Sequence, residues 1–192
     1  MTESARSWRI ALPTIIVLAV GIVGAWWVVG DRGDDRADPL AITADGPRYS
    51  TLDELTAASD VVVIGTVVRV DEGRVITDPA NASAGIRTQL ATVEVSDVLV
   101  GESVGPLVVE QESALLDGTP IVVNGVAPLV VGDAGALFVV RGDSDEFPYA
   151  AFVNEQAWLP IVDDELAPID PTDPVWSPLA GQPASTLADL TR

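Results

Sequence analysis

The hydrophobic pattern divides the chain into two parts of different character. From Ile10 to Gly30 the sequence IALPTIIVLAVGIVGAWWVVG has no charge and only one polar side chain, Thr14. That is close to the roughly 20 apolar residues a spanning helix needs. It also lacks the polar stripe that the buried helix of a globular domain would show. Pro13 falls near the start, where a missing backbone donor does least harm, and Trp26 with Trp27 falls near the far end, where amphipathic rings favour a membrane interface. The pattern predicts one transmembrane helix over 10–30, acting as a signal-anchor behind a cytoplasmic tail of residues 1–9, with the long domain translocated behind it. A cleaved signal peptide is the competing reading, with Val23-Gly24-Ala25 as the cleavage region.

Beyond the apolar run the period changes to that of short strands. Residues 31–49 are charged and contain Gly and Pro, the composition of a flexible acidic linker. Ser50 stands three positions before the acidic Asp53 in a capping-box-like arrangement, and Leu52 with Leu55 can share a helical face, which predicts a short helix over 51–59. Val61 to Val70 is dense in β-branched residues and reads as a central strand, with Gly65 marking a bulge or bend. Asp71 to Gly85 is polar with Pro79 and reads as a long loop, followed by the alternating strand around Ala91, Val93 and Val95.

Further strands are predicted at Leu107–Glu112, Ile121–Val123, Ala136–Val140, Tyr149–Val153 and Trp158–Val162, separated by turn-forming residues. Asn154, Glu155 and Gln156 read as a polar turn. Asp163 to Pro178 reads as an irregular cover, and Ser185 as the cap of a last short helix. Residues 50–192 are therefore expected to form a mostly β extracytoplasmic domain, a closed or sandwiched sheet with short flanking helices.

Composition narrows what such a domain can do. Of the formal charge of −19, residues 1–30 carry +1 (Arg6 and Arg9 against Glu3), leaving −20 for the rest. That surface repels phosphate backbones, so no nucleic-acid partner is expected; a cationic or neutral ligand, such as an envelope protein or polysaccharide, fits better. The lipid bilayer is the expected partner of residues 10–30. The chain has no Cys, His or Lys, which removes thiolate metal sites, cysteine nucleophiles and the usual bases.

Several motifs have a chemical reading and a simpler one. Gly101-Glu102-Ser103-Val104-Gly105 fits the G-x-S-x-G nucleophile elbow, but Pro106 and a strand follow where a helix is required, and no His or Lys is present to take the serine proton. A turn is the better reading. Arg141-Gly142-Asp143-Ser144 spells an adhesion tripeptide that also suits a turn after a strand. Asp143 and Asp145, or Asp163, Asp164 and Glu165, have oxygens suited to calcium, without the central Gly and final Glu of the helical calcium loop. Paired carboxylates are expected by chance among twenty-eight acids after Gly30. Tyr149, Phe152 and Trp158 read as packing residues on neighbouring strands. No catalytic, cofactor-binding or metal residue is assigned.

Three phrases together carry a family resemblance: AASDVVVIGTVVRV at Ala57–Val70, VEVSDVLVG at Val93–Gly101 and PLVVGDAGALFVV at Pro128–Val140. They resemble uncharacterised extracytoplasmic bacterial domains of actinobacterial type, membrane-anchored, whose strand pattern is similar to the netrin-like, OB-type barrel. The resemblance covers about residues 50–165 and rests on hydrophobic patterns. It implies a small OB-like Greek-key barrel of five or slightly more strands with flanking helices, and no catalytic residue. The metalloprotease inhibition of some netrin-like proteins uses an N-terminal Cys, which this chain lacks. The expected function is thus a non-enzymatic, membrane-tethered binding module, with a carboxylate-only envelope hydrolase or a passive structural domain as alternatives.

Overall fold

Among the described residues, nine strands, two short α-helices and one 3-10 turn account for most positions. The structure, a computed structural model, describes residues 38–190 apart from 79, 103–104, 143 and 145–147. The apolar run 10–30 and the tail before it lie outside the described residues. Among the described residues no helix is long and apolar enough to cross a membrane.

The strands are β1 (Leu40–Ile42), β2 (Val61–Asp78), β3 (Asn81–Val100), β4 (Leu107–Leu115), β5 (Ile121–Val123), β6 (Ala134–Val140), β7 (Ala150–Phe152), β8 (Trp158–Val162) and β9 (Glu165–Leu166). The helices are α1 (Leu52–Ala57) and α2 (Ser185–Leu190). Hydrogen-bonded neighbours run β2–β3–β4–β7–β6, and β6 pairs with β2 again, so these five strands form a closed circuit. All its pairings are antiparallel except β4 with β7, which is parallel. Strands β8 and β9 extend the sheet from β6.

Why Val61–Ile64 and Ala136–Val140 are apolar without alternation follows from this topology. Val61, Val63, Val67, Leu137 and Val139 point into one core together with Ala91, Val93, Val109, Leu129 and Trp158. Val62, Ala136 and Phe138 point the other way, into a second core closed by Leu55 of α1, Leu187 of α2, and Trp176 and Leu179 of the C-terminal segment. A strand covered on both faces has no polar face to display. Phe138 and Trp176 meet in a tilted pair, ring centroids 5.4 Å apart. Where β2 crosses β6, Gly65 lies opposite Gly135. A Cβ on Gly65 would stand 2.6 Å from the Glu94 carbonyl oxygen of β3, and one on Gly135 2.5 Å from that of Leu159 in β8, so glycine lets each of these outer neighbours come this close.

Two features depart from the expected layout. The stretch 71–85, expected as a loop, continues both strands: Val75 pairs with Arg87 and Ile76 with Ile86, so β2 and β3 form a ribbon that runs on past the last β6 partner of β2 at Thr66. Offset pairings at Ile64/Gly65, Val67/Arg69 and Glu72/Val75 mark bulges that let it bend. The chain is also ordered from earlier than the linker 31–49 implied. Leu40–Ile42 lies parallel to β5, with the Leu40 amide donating to the Pro120 carbonyl at 2.8 Å.

The helix start lies one residue later than its sequence pattern implied. Thr51 is the N-cap, its hydroxyl accepting from the Glu54 amide, and the Glu54 carboxylate accepts from the Ser50 amide at 2.8 Å.

Candidate functional site

Antiparallel order brings the start of β2, the end of β3, the start of β4, the end of β6 and the start of β7 to one end of the five-strand circuit. A hollow of about 390 Å³ opens there, lined by Val61, Glu102, Pro106, Leu107, Val108, Arg141, Gly142, Pro148, Tyr149 and Ala150. Its base is the apolar ends of the strands. Its rim comes from the segments after β3 and β6, which hold two of the motifs singled out in the sequence.

The first rim segment is Gly101 to Pro106. Gly101 has φ +76°, and a Cβ there would meet the Asp60 carbonyl oxygen at 2.3 Å; Gly105 has φ +85°. Both glycines of the G-x-S-x-G pattern therefore serve backbone geometry, and Ser103 lies outside the described residues.

The second rim segment begins with Arg141. Its guanidinium donates to the Glu102 carbonyl, joining the two segments, and its backbone amide donates to the Asp60 carboxylate at 2.9 Å. Asp60 in turn donates its amide to the Val139 carbonyl, so it closes the end of β6. Of the calcium candidates, Asp143 and Asp145 lie outside the described residues. Asp163 and Asp164 form the β8–β9 hairpin turn, both at positive φ, between the paired Val162 and Glu165. Among the described residues no group of three or more acids is placed to hold a metal ion.

The three aromatics separate. Trp158 is buried and Phe152 packs partly buried between the two cores, as expected of packing residues. Tyr149 is 40% exposed and stands on the rim.

A second polar cluster, away from the hollow, was not legible as such. Gln156, expected in a turn, is buried, and so is Asp173. The Gln156 side-chain nitrogen donates to both carboxylate oxygens of Asp173, at 3.0 and 2.9 Å, and to the Tyr49 carbonyl, while its oxygen accepts from the Tyr49 amide at 2.8 Å. Asp173 also accepts from the Val175 amide and, at 3.3 Å, from Arg48. These bonds fasten residues 48–49 and the C-terminal segment to the turn before β8, which is a structural task.

Among the described residues two carboxyl groups have shifted pKa values. Asp170 is held below its ordinary value by the Thr172 hydroxyl and then the Thr172 amide, and Asp117 by the amide and hydroxyl of Thr119. Both are in exposed turns, and both shifts favour the ionised form, the opposite of what a proton-donating carboxylic acid requires. Among the described residues the hollow is lined by one carboxylate, Glu102. Comparison with known proteins adds no relative: no family model, no curated protein and no solved structure matches the chain.

Proposed function

We propose that the protein is a non-enzymatic binding module, anchored in a bacterial membrane by residues 10–30 and displaying an OB-like Greek-key barrel on the extracytoplasmic side. The strand circuit supports the barrel reading: five strands in the order β2–β3–β4–β7–β6, closed by β2–β6 and with one parallel pair, is the connectivity of a small Greek-key barrel. The netrin-like resemblance has the same expectation.

The observation that carries the binding reading is the hollow at the barrel mouth. It offers apolar strand ends, two prolines, one exposed tyrosine and an arginine fixed by its carbonyl contact, the mix of apolar walls and few oriented polar groups that ligand sites share. The surrounding charge of −20 selects against anionic ligands, so an envelope polysaccharide or a neutral to cationic protein segment fits best.

The test is direct binding of the full chain, held in phosphatidylcholine nanodiscs, to defined neutral and cationic oligosaccharides and peptides. Tyr149→Ala should weaken any interaction about tenfold, the loss of one aromatic contact at a binding centre, without moving the unfolding midpoint. Equal binding by the wild type and Tyr149→Ala would remove the mouth from the reading.

A further inference from the structure

The end of the sheet opposite the hollow carries a different surface. There the ribbon of β2 and β3, the end of β4 and the following turn, and β1 form one hydrogen-bonded strip: Ile76 pairs with Ile86, Ile86 with Leu115, Ala114 with Pro120, and Leu40 with Ile121. Directly opposed residues share a face, so Ile76, Ile86 and Leu115 line up across three strands. Ile76 is 44% exposed, Val75 on the other face 51%, and Leu40 39%. The Leu116 side chain lies beside Gly85, and its carbonyl accepts from Arg87.

This is also the end at which the chain arrives from its apolar run. Ten Cα–Cα steps separate Gly30 from Leu40, a reach of at most roughly 35 Å. An anchored run therefore holds Leu40, and with it the strip, within about one headgroup-and-core depth of the bilayer.

We propose that this apolar end docks on the lipid surface beside the protein's own anchor, with Ile76 and its neighbours entering the interface. The inference rests on the tether reading and adds an orientation to it. Because the domain is acidic, the contact is apolar and suits neutral lipid; isolated apolar side chains in the plane of the interface contribute by the area they bury there. With the strip against the membrane, the hollow faces outward: residues 86 and 98 of β3 are roughly 40 Å apart along an extended strand, and Val98 lies toward the hollow.

The chain has no cysteine, so single labelling sites are clean. Ile76→Cys and Val98→Cys, the latter 45% exposed on the same strand pair, are each labelled with an environment-sensitive fluorophore in the full-length protein. Each is reconstituted in phosphatidylcholine vesicles at less than one copy per vesicle, with a fraction of the lipid carrying a quencher. The expected result is loss of most of the fluorescence at position 76 and little loss at 98. Equal quenching at the two positions, or none at 76 while the protein floats with the vesicles, overturns the docking and leaves the tether intact. Protein that does not float with the vesicles overturns the tether reading and the docking with it. No quenching at 76 at this density, with a blue shift of its emission that appears only when several copies share a vesicle, assigns the strip to a second copy of the chain and overturns the lipid contact.

Discussion

The threonine at 172 shows how one side chain sets a local titration. Its hydroxyl and its amide both donate to the same Asp170 oxygen, at 2.7 and 2.8 Å. These bonds are made to the charged carboxylate, so they hold the Asp170 pKa below its ordinary value of 3.8, with Arg48 adding a smaller pull in the same direction. A depressed folded pKa means that whatever the turn contributes is fully present above the unfolded value and is lost as the pH falls through the folded one. Removing the hydroxyl in Thr172→Val deletes the larger cause. Carboxyl carbon NMR titration should then show the Asp170 midpoint moving up toward its ordinary value, while that of Asp117, held by its own threonine, stays in place. An unmoved Asp170 midpoint would show that the hydroxyl bond is not made in solution.

At the scale of elements, the clasp around Gln156 is the least replaceable polar feature. Gln156 occupies a 3-10 turn between β7 and β8 and supplies partners to Tyr49, Asn154 and Asp173 at once. Gln156→Leu keeps the volume but leaves the Tyr49 amide without its acceptor and takes from the buried Asp173 carboxylate the amide that donates to both of its oxygens, leaving it the Val175 amide and Arg48. Breaking a buried network on one side costs roughly 2–4 kcal/mol. Denaturant unfolding should show that loss, and hydrogen exchange should show the Tyr49 amide losing its protection beyond what the global loss explains. A change under about 0.5 kcal/mol, the ordinary effect of a surface substitution, would mean that water takes the place of the amide.

The same elements show where sequence pattern is informative. Strands β2, β6 and β8 are legible because burial demands apolar, β-branched residues, and α1 and α2 because caps and leucine spacing mark them. The extension of the β2–β3 ribbon through residues 71–87 is not legible: its described side chains are exposed or only partly buried, so no buried face imposes alternation, and Asp71, Glu72, Gly73 and Arg74 look like a loop. Strand β1 is three residues long and set by its partner β5, which a local pattern cannot reveal. Gln156 and Asp173 read as turn residues because their burial comes from segments far apart in sequence. The hollow escapes for the same reason, since its lining is drawn from five separate strand ends and only Tyr149 and the two turn motifs were conspicuous beforehand.

Taken whole, the molecule is governed by its charge. After Gly30 there are twenty-eight acidic residues against eight arginines. Ion pairs among the described residues include Arg48 with Glu155 and Asp173, Arg69 with Asp71, and Arg74 with Glu110, and the arginine side chains at 48 and 69 are more than 60% exposed. Exposed pairs of this kind contribute about 0–1 kcal/mol each. Repulsion among the excess carboxylates acts over the whole surface and opposes compaction. Salt weakens both terms, but the excess is far larger than the number of arginines available to pair, so screening relieves more repulsion than it removes attraction. The Debye length falls from about 30 Å at 0.01 M to about 8 Å at 0.15 M, from the width of the domain to the spacing between neighbouring side chains. The unfolding midpoint of the full chain in neutral detergent should therefore rise across that range and flatten above it. Screening depends on ionic strength, so choline chloride should reproduce the rise seen with sodium chloride. A midpoint that falls with added salt would show instead that the arginine pairs, few as they are, outweigh the repulsion of the unpaired acids.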